Sequence, residues 1–175
     1  LLWMGLEEER LQAFVDRIGA FMHELGRAQI EAGRGRLAGM YIWGDVAYVR
    51  GMLFGAERWR QMFRPHVERL IELFHAHGLM VIYHGCGNVE LIFEDFIEMG
   101  LDAYNPLEVK AGMDAVELKK KYGNQIGYCG NSNIQVWESG DRDRIREEVL
   151  RKLNAAKGGG MIFQSDHSVS SSVSG

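Results

Sequence analysis

The chain has 175 residues, of which 46% are hydrophobic and 25% charged, with a formal net charge of −4. That balance suits one globular domain around one core, and the dispersed Lys and Arg form no basic surface for nucleic acid or an anionic membrane. The longest apolar runs, such as Leu79–Tyr83, fall far short of the roughly 20 residues of a membrane span.

Leu6–Ala32 carries Leu11, Phe14, Val15, Ile18, Phe21, Met22 and Leu25 at steps of three and four, which predicts an amphipathic helix. Gly33-Arg34-Gly35 stops it, and Leu37–Trp43 reads as a short strand ending at Gly44-Asp45. Ala56–His77 is helical again, with Trp59, Met62, Phe63, Val67, Leu70, Ile71 and Phe74 on one stripe. Pro65 is expected to kink or split that helix. Leu79–Tyr83 is a buried strand. Val89–Met99 is a helix with Val89, Ile92, Phe93, Phe96 and Ile97 inward, and Ala103–Tyr104 a strand that breaks at Asn105-Pro106.

Ala111–Tyr122 reads as a helix whose Lys119-Lys120-Lys121 run suits its C-terminal end. Gln125–Cys129 is a strand leading into Gly130-Asn131-Ser132-Asn133. Asp141 caps a helix to Ala156, with Ile145, Val149, Leu153 and Ala156 inward. Gly158-Gly159-Gly160 leads to the strand Met161–Gln164, which ends at Ser165-Asp166-His167. Residues 168–175 are Ser-rich and read as a loose tail.

Five strands alternating with helices predict an α/β fold with a parallel sheet, either doubly wound or a (β/α)8 barrel. Polar residues end the strands at Asp45, His84, Asn105, Asn131 and His167, and a barrel gathers such ends at one rim. No Gly-x-Gly-x-x-Gly follows the first strand, which counts against a dinucleotide fold. Five strands cannot close an eight-stranded barrel. The reading is therefore a partial TIM barrel, residues 1–167 being the C-terminal portion of a single domain. The opening Leu1-Leu2-Trp3-Met4 lacks a start methionine, consistent with a piece of a longer protein. With no signal peptide visible and only Cys86 and Cys129 as cysteines, the setting is read as reducing and cytoplasmic, a Cys86–Cys129 disulfide being the less favoured alternative.

His84-Gly85-Cys86-Gly87-Asn88 is the stretch with most chemistry. Residues i and i+2 of a strand face the same side, so His84 and Cys86 can converge on one ion or substrate atom. Imidazole plus thiolate is a zinc-type pair. The plainer alternative is a small buried thiol beside a hydrogen-bonded His. By the same rim logic His167 is a third metal ligand or a substrate group, with Asp166 beside it. Asp45 and Glu108 are each candidates for metal binding, acid-base work or helix capping. Cys129 reads as a buried inert thiol, His23, His66, His75 and His77 as surface histidines, and Trp43, Tyr48 and Tyr83 as pocket walls or core.

Six segments then carry a resemblance: Ile42-Trp-Gly-Asp45, Gly51-Met-Leu-Phe54 before the Trp59 helix, His84-x-Cys86-Gly-Asn88, Gly100-Leu-Asp102-Ala-Tyr-Asn105-Pro106, Gly130-Asn131 and Ser165-Asp-His167. In this order, from about Leu37 to His167, they resemble the C-terminal two-thirds of the uroporphyrinogen decarboxylase superfamily. That superfamily includes cobamide-dependent methyltransferases of the methylcobamide:coenzyme M type. The resemblance implies a (β/α)8 barrel with its site at the rim.

In the methyltransferase branch, His-x-Cys and a distant Cys hold zinc, which activates a thiol to attack a methyl group on a corrinoid carried by a partner protein. Here His84 and Cys86 match, but the last strand offers Asp166-His167 instead of Cys. The implied metal set is thus His84, Cys86 and His167, with Asp45 or Glu108 as a fourth donor. The decarboxylase branch, in porphyrin biosynthesis, needs no cofactor and decarboxylates a tetrapyrrole. There Asp45 and His167 are the implied catalytic residues, with Asn105, Glu108, Asn131 and Asp166 binding substrate. A further departure is Asn133, where many members have Asp. The favoured reading is zinc-assisted methyl transfer to a thiol, the alternative is uroporphyrinogen decarboxylation, and a third is a non-catalytic fragment that dimerises. Exposed edge strands make a homo-oligomer the expectation in each case.

Overall fold

The computed structural model describes residues 2–171 and 173, so part of the expected Ser-rich tail lies outside the described residues. In chain order the elements are α1 (Leu2–Leu6), α2 (Glu8–Gly33), β1 (Gly39–Trp43), β2 (Ala47–Tyr48), β3 (Gly51–Met52), α3 (Ala56–Met62), α4 (Arg64–His75), β4 (Met80–His84), α5 (Glu90–Glu98), β5 (Ala103–Asn105), α6 (Ala115–Tyr122), β6 (Gly127–Ser132), α7 (Ile134–Glu138), α8 (Arg142–Ala156) and β7 (Met161–Ser165). The five long-range strands form one parallel sheet in the order β1-β4-β5-β6-β7, with helices between successive strands. This is the expected partial-barrel alternation. β2 and β3 form a separate antiparallel hairpin that the sequence did not announce. No helix among the described residues is long and apolar enough to cross a membrane.

Contacts divide the chain into two units, Leu1–Tyr41 with Phe54–Val81, and Ile42–Leu53 with Ile82–Gly175. In the first, α2 ends as expected, with Arg34 in the left-handed conformation at φ 49°. Pro65 sits in the first turn of α4, so the predicted long helix is two helices. The apolar stripe of α2 is not the face that packs. Phe14, Ile18, Phe21, Met22 and Leu25 are exposed, whereas Val15 and Gly26 are buried. The reason is close approach: a Cβ at Gly19 would strike the His66 ring, and one at Gly26 would lie 3.0 Å from Phe74. His66 accordingly is not a free surface histidine, since its Nε2 meets Asp16 Oδ1 at 2.9 Å.

The second unit is built on aromatic packing beneath the parallel strands. Tyr83, Phe93, Phe96, Tyr104 and Tyr128 are buried, with Tyr83 stacked on Tyr104 at 5.8 Å and Phe96 tilted against both. Tyr83 is therefore core rather than pocket wall. Its hydroxyl donates to Gly44 O at 2.8 Å. α8 reverses its expected inward face at one position: Leu153 is 45% exposed while the neighbouring Lys152 is fully buried. Polar groups explain the inversion. Lys152 Nζ meets Asp114 Oδ2 at 3.0 Å, Glu148 Oε1 at 3.7 Å and Asn131 Oδ1.

Asp114 caps α6, its side chain accepting from Val116 N, and also pairs with Arg151. Burial pushes its carboxyl up, but hydrogen bonds from Arg151 and Lys152 outweigh this and hold it below the usual range. Replacing it removes a cap and leaves a buried ammonium short of one partner. Asp114→Ala should cost about 2–3 kcal/mol in urea unfolding at neutral pH. Because the folded pKa is depressed, this contribution is present above the unfolded value of about 3.9 and is lost as pH falls through the folded one. The gap between wild type and variant should therefore close only in that acidic range.

Candidate functional site

The site is assembled within the second unit from the C-terminal ends of β1, β4, β5 and β7. The loop after β4 is held at each residue. Gly85 N donates to Asn105 O (2.8 Å), Cys86 N to Asp45 Oδ1 (2.8 Å), Gly87 N to Glu108 Oε2 (2.6 Å) and Asn88 N to Tyr48 O (3.0 Å). Gly87 has φ 88°, a region L side chains rarely adopt. A Cβ there would lie 2.6 Å from Tyr48 N and 2.7 Å from the Ala47 carbonyl carbon, so the hairpin closes over this glycine.

His84, Cys86, Asn105, Gln164, Ser165 and His167 line a cleft of about 240 Å³. His84 Nδ1 lies 2.7 Å from Asn105 Oδ1 and its Nε2 lies 3.7 Å from Cys86 Sγ. Cys86 belongs to two groups of potential metal donors, one with Asp45 and His84 and the other with Glu108 and His167, each with its ligand atoms within 4.8 Å of one another. Among the described residues, His84 and His167 fall in different groups that share the Cys86 sulfur. Burial, then the negative charges of Asp45 and Glu108, push the Cys86 thiol up to about 11, with Lys110 opposing.

Glu108 is 3% exposed. Beyond Gly87 it meets Lys110 Nζ at 3.1 Å and His167 Nε2 at 3.7 Å through Oε1. Asp45 reaches the site by holding the Cys86 backbone, and His167 is partly exposed at the mouth of the cleft.

Asn131 and Asp166 sit one layer below. Both are fully buried, and neither is among the residues lining the cleft. Asn131 Nδ2 donates to Leu107 O and Met113 O, each at 2.6 Å, and its Oδ1 accepts from Ala115 N at 2.8 Å. Asp166 Oδ2 accepts from Val109 N at 3.0 Å and Oδ1 from Ile134 N at 2.9 Å. Burial, with a smaller push from Glu108, raises the Asp166 carboxyl, while the two N–H donors oppose the rise. These side chains spend their polar atoms on the 107–115 backbone that carries Glu108, on Ile134 N and on Lys152 Nζ. Asn133 caps α7, its side chain accepting from Gln135 N. Cys129 is buried, which pushes its thiol up to about 11.

Two structural details escape sequence reading: the short 3-10 turn Val109–Ala111 in the loop that carries the sequence candidate Glu108, and the β2–β3 hairpin that covers Gly87. The one available signal was glycine itself, since Gly51, Gly87 and Gly112 all have positive φ.

Residues 1–174 match the family model described as Uroporphyrinogen decarboxylase (URO-D). The chain belongs to the uroporphyrinogen decarboxylase family. No curated protein matches it. The family match extends N-terminally beyond the Leu37–His167 resemblance and takes in α1 and α2. Membership places the chain in an enzyme superfamily of decarboxylases and methyltransferases.

Gly87→Ala tests the closure of this URO-D site. The residue would need a left-handed backbone, costing about 1–2 kcal/mol, and would overlap the hairpin, adding about 1–3 kcal/mol. Unfolding midpoints should fall accordingly, and amide exchange of Tyr48 and Asn88 should accelerate if the variant relieves the overlap by opening the hairpin.

Proposed function

We propose that this chain carries the zinc site of a URO-D-superfamily methyltransferase that passes a methyl group from a corrinoid on a partner protein to a substrate thiol. The supporting observation is the surroundings of Cys86. One sulfur lies within 4.8 Å of imidazole and carboxylate donors in each of two groups, and burial, with a further push from the Asp45 and Glu108 carboxylates, raises its pKa. Surplus negative charge around a thiol is an arrangement that a thiophilic divalent cation relieves, and mixed S, N and O donors suit zinc.

His84, Cys86 and His167 would hold the ion, with Asp45 and Glu108 as carboxylate donors. Bound zinc supplies positive charge that lowers the pKa of a coordinated thiol, giving a thiolate nucleophile near neutral pH. The protein's own residues do the rest. The pinned loop fixes the direction of the Cys86 side chain. Glu108 Oε1 lies 3.7 Å from His167 Nε2, which sets a buried carboxylate beside this imidazole donor. Gln164 and Ser165 offer polar contacts to the substrate along the cleft wall.

The family description favours a second reading, decarboxylation of uroporphyrinogen without a metal, in which Asp45 and His167 act on the tetrapyrrole. The two separate by measurement on the full-length protein. Zinc-assisted transfer predicts about one zinc per chain, most of it lost in Cys86→Ala, and no coproporphyrinogen formed from uroporphyrinogen. Coproporphyrinogen formation with no bound zinc overturns this reading in favour of the second.

A further inference from the structure

Asn105 is the residue paired with His84 across the parallel β4–β5 register. Its position is fixed twice over: the backbone carbonyl accepts from Gly85 N at 2.8 Å, and the residue is only 5% exposed. From there its Oδ1 lies 2.7 Å from His84 Nδ1. An amide oxygen carries no proton and can only accept, so the proton in this contact belongs to the ring. A neutral imidazole has one N–H, which leaves the lone pair on Nε2. Nε2 is the atom 3.7 Å from Cys86 Sγ.

We propose that Asn105 is a positioning residue that holds His84 in the tautomer protonated at Nδ1, so that the Nε2 lone pair points at Cys86. The opposite tautomer would set a lone pair against the amide oxygen, making the 2.7 Å contact repulsive, and would turn an N–H rather than a lone pair towards the Cys86 sulfur. The assignment rests on this chain's own contacts. Its consequence for metal binding rests on the zinc reading, because an imidazole ligates only through an unprotonated nitrogen, and the group that binds the other nitrogen sets which one that is. Asn105 is then a support for the site rather than a group that touches substrate.

Long-range proton–nitrogen NMR of the metal-free full-length protein, at a pH where the ring is neutral, reports the tautomer directly. We expect His84 to show a protonated Nδ1 and a lone-pair Nε2. Asn105→Asp retains an acceptor oxygen and should keep that pattern. Asn105→Leu, nearly isosteric, should lose it. A wild-type His84 protonated at Nε2 overturns the proposal, as does an unchanged tautomer in Asn105→Leu. Should the Leu variant not fold, the wild-type spectrum and Asn105→Asp decide the question.

Zinc affinity by chelator competition is the second readout. Asn105→Leu should weaken it about 10- to 100-fold, with Asn105→Asp close to wild type. Equal zinc affinity in all three proteins overturns the link from tautomer to metal. If wild type binds no zinc while the tautomer is as expected, the zinc reading fails and the positioning role of Asn105 stands.

Discussion

The site stands on the buried carboxamide of Asn131. This residue lies next to the end of β6 in a left-handed backbone conformation at φ 75° and is fully enclosed. Its amide bonds two carbonyls of the 106–113 loop, while its oxygen receives Ala115 N and Lys152. Loops ordinarily run over the surface because their backbone groups need water. This one dips under the strand ends, where each unpaired group would cost about 1–3 kcal/mol, and Asn131 and Asp166 supply the missing partners. Glu108 is consequently fixed from beneath, which is why a carboxylate carried on a loop can hold Gly87 N at 2.6 Å.

Charge follows the same layering. Lys152 is enclosed below the rim among Asp114, Glu148 and Asn131, leaving Lys110 as the cation recorded against Glu108. Above that layer, Asp45 and Glu108 both lie close to Cys86, each accepting a backbone N–H of its loop. A thiol hemmed in this way stays protonated in neutral water, so whatever reactivity it has depends on positive charge brought to it. The buried lysine beneath and the acidic rim above are two consequences of one arrangement, since the structure commits its inner ammonium to the backbone support and not to the cleft.

Much of the strand layout was legible from the chain. β4 follows from a run of apolar residues and the parallel sheet from the alternation of strand and helix, whereas the register that pairs His84 with Asn105 comes from the structure. Pro65 marked the break between α3 and α4, and Asp141 marked the start of α8. The face of α2 was not legible, because periodicity locates large apolar residues and cannot show that two glycines allow another helix closer than those residues would. Nor was the burial of Lys152, whose partners Asn131 and Asp114 lie 21 and 38 positions away, with Glu148 on its own helix. Asn131 and Asp166 looked like binding groups for the same reason: a polar residue at a strand end reads alike whether it faces a cleft or satisfies a loop beneath it.

That ambiguity bears on the resemblance itself. A motif such as His84-x-Cys86 or Ser165-Asp166-His167 joins residues of two kinds, those facing the cleft and those facing the frame. His84, Cys86 and His167 line the cleft, while Asp166 turns both oxygens to backbone N–H groups. Neighbours in sequence at a strand end point to opposite sides, so a rim motif almost necessarily couples one working side chain to one supporting side chain. The distant thiol expected of the methyltransferase branch is absent from such a working position, and the structure puts His167 at the mouth of the cleft with Glu108 behind it. An imidazole is a neutral, less basic donor than a thiolate, which would leave a bound cation more positive and a coordinated thiol more acidic. On the zinc reading, the departure from the family pattern therefore alters the strength of activation rather than abolishing the site.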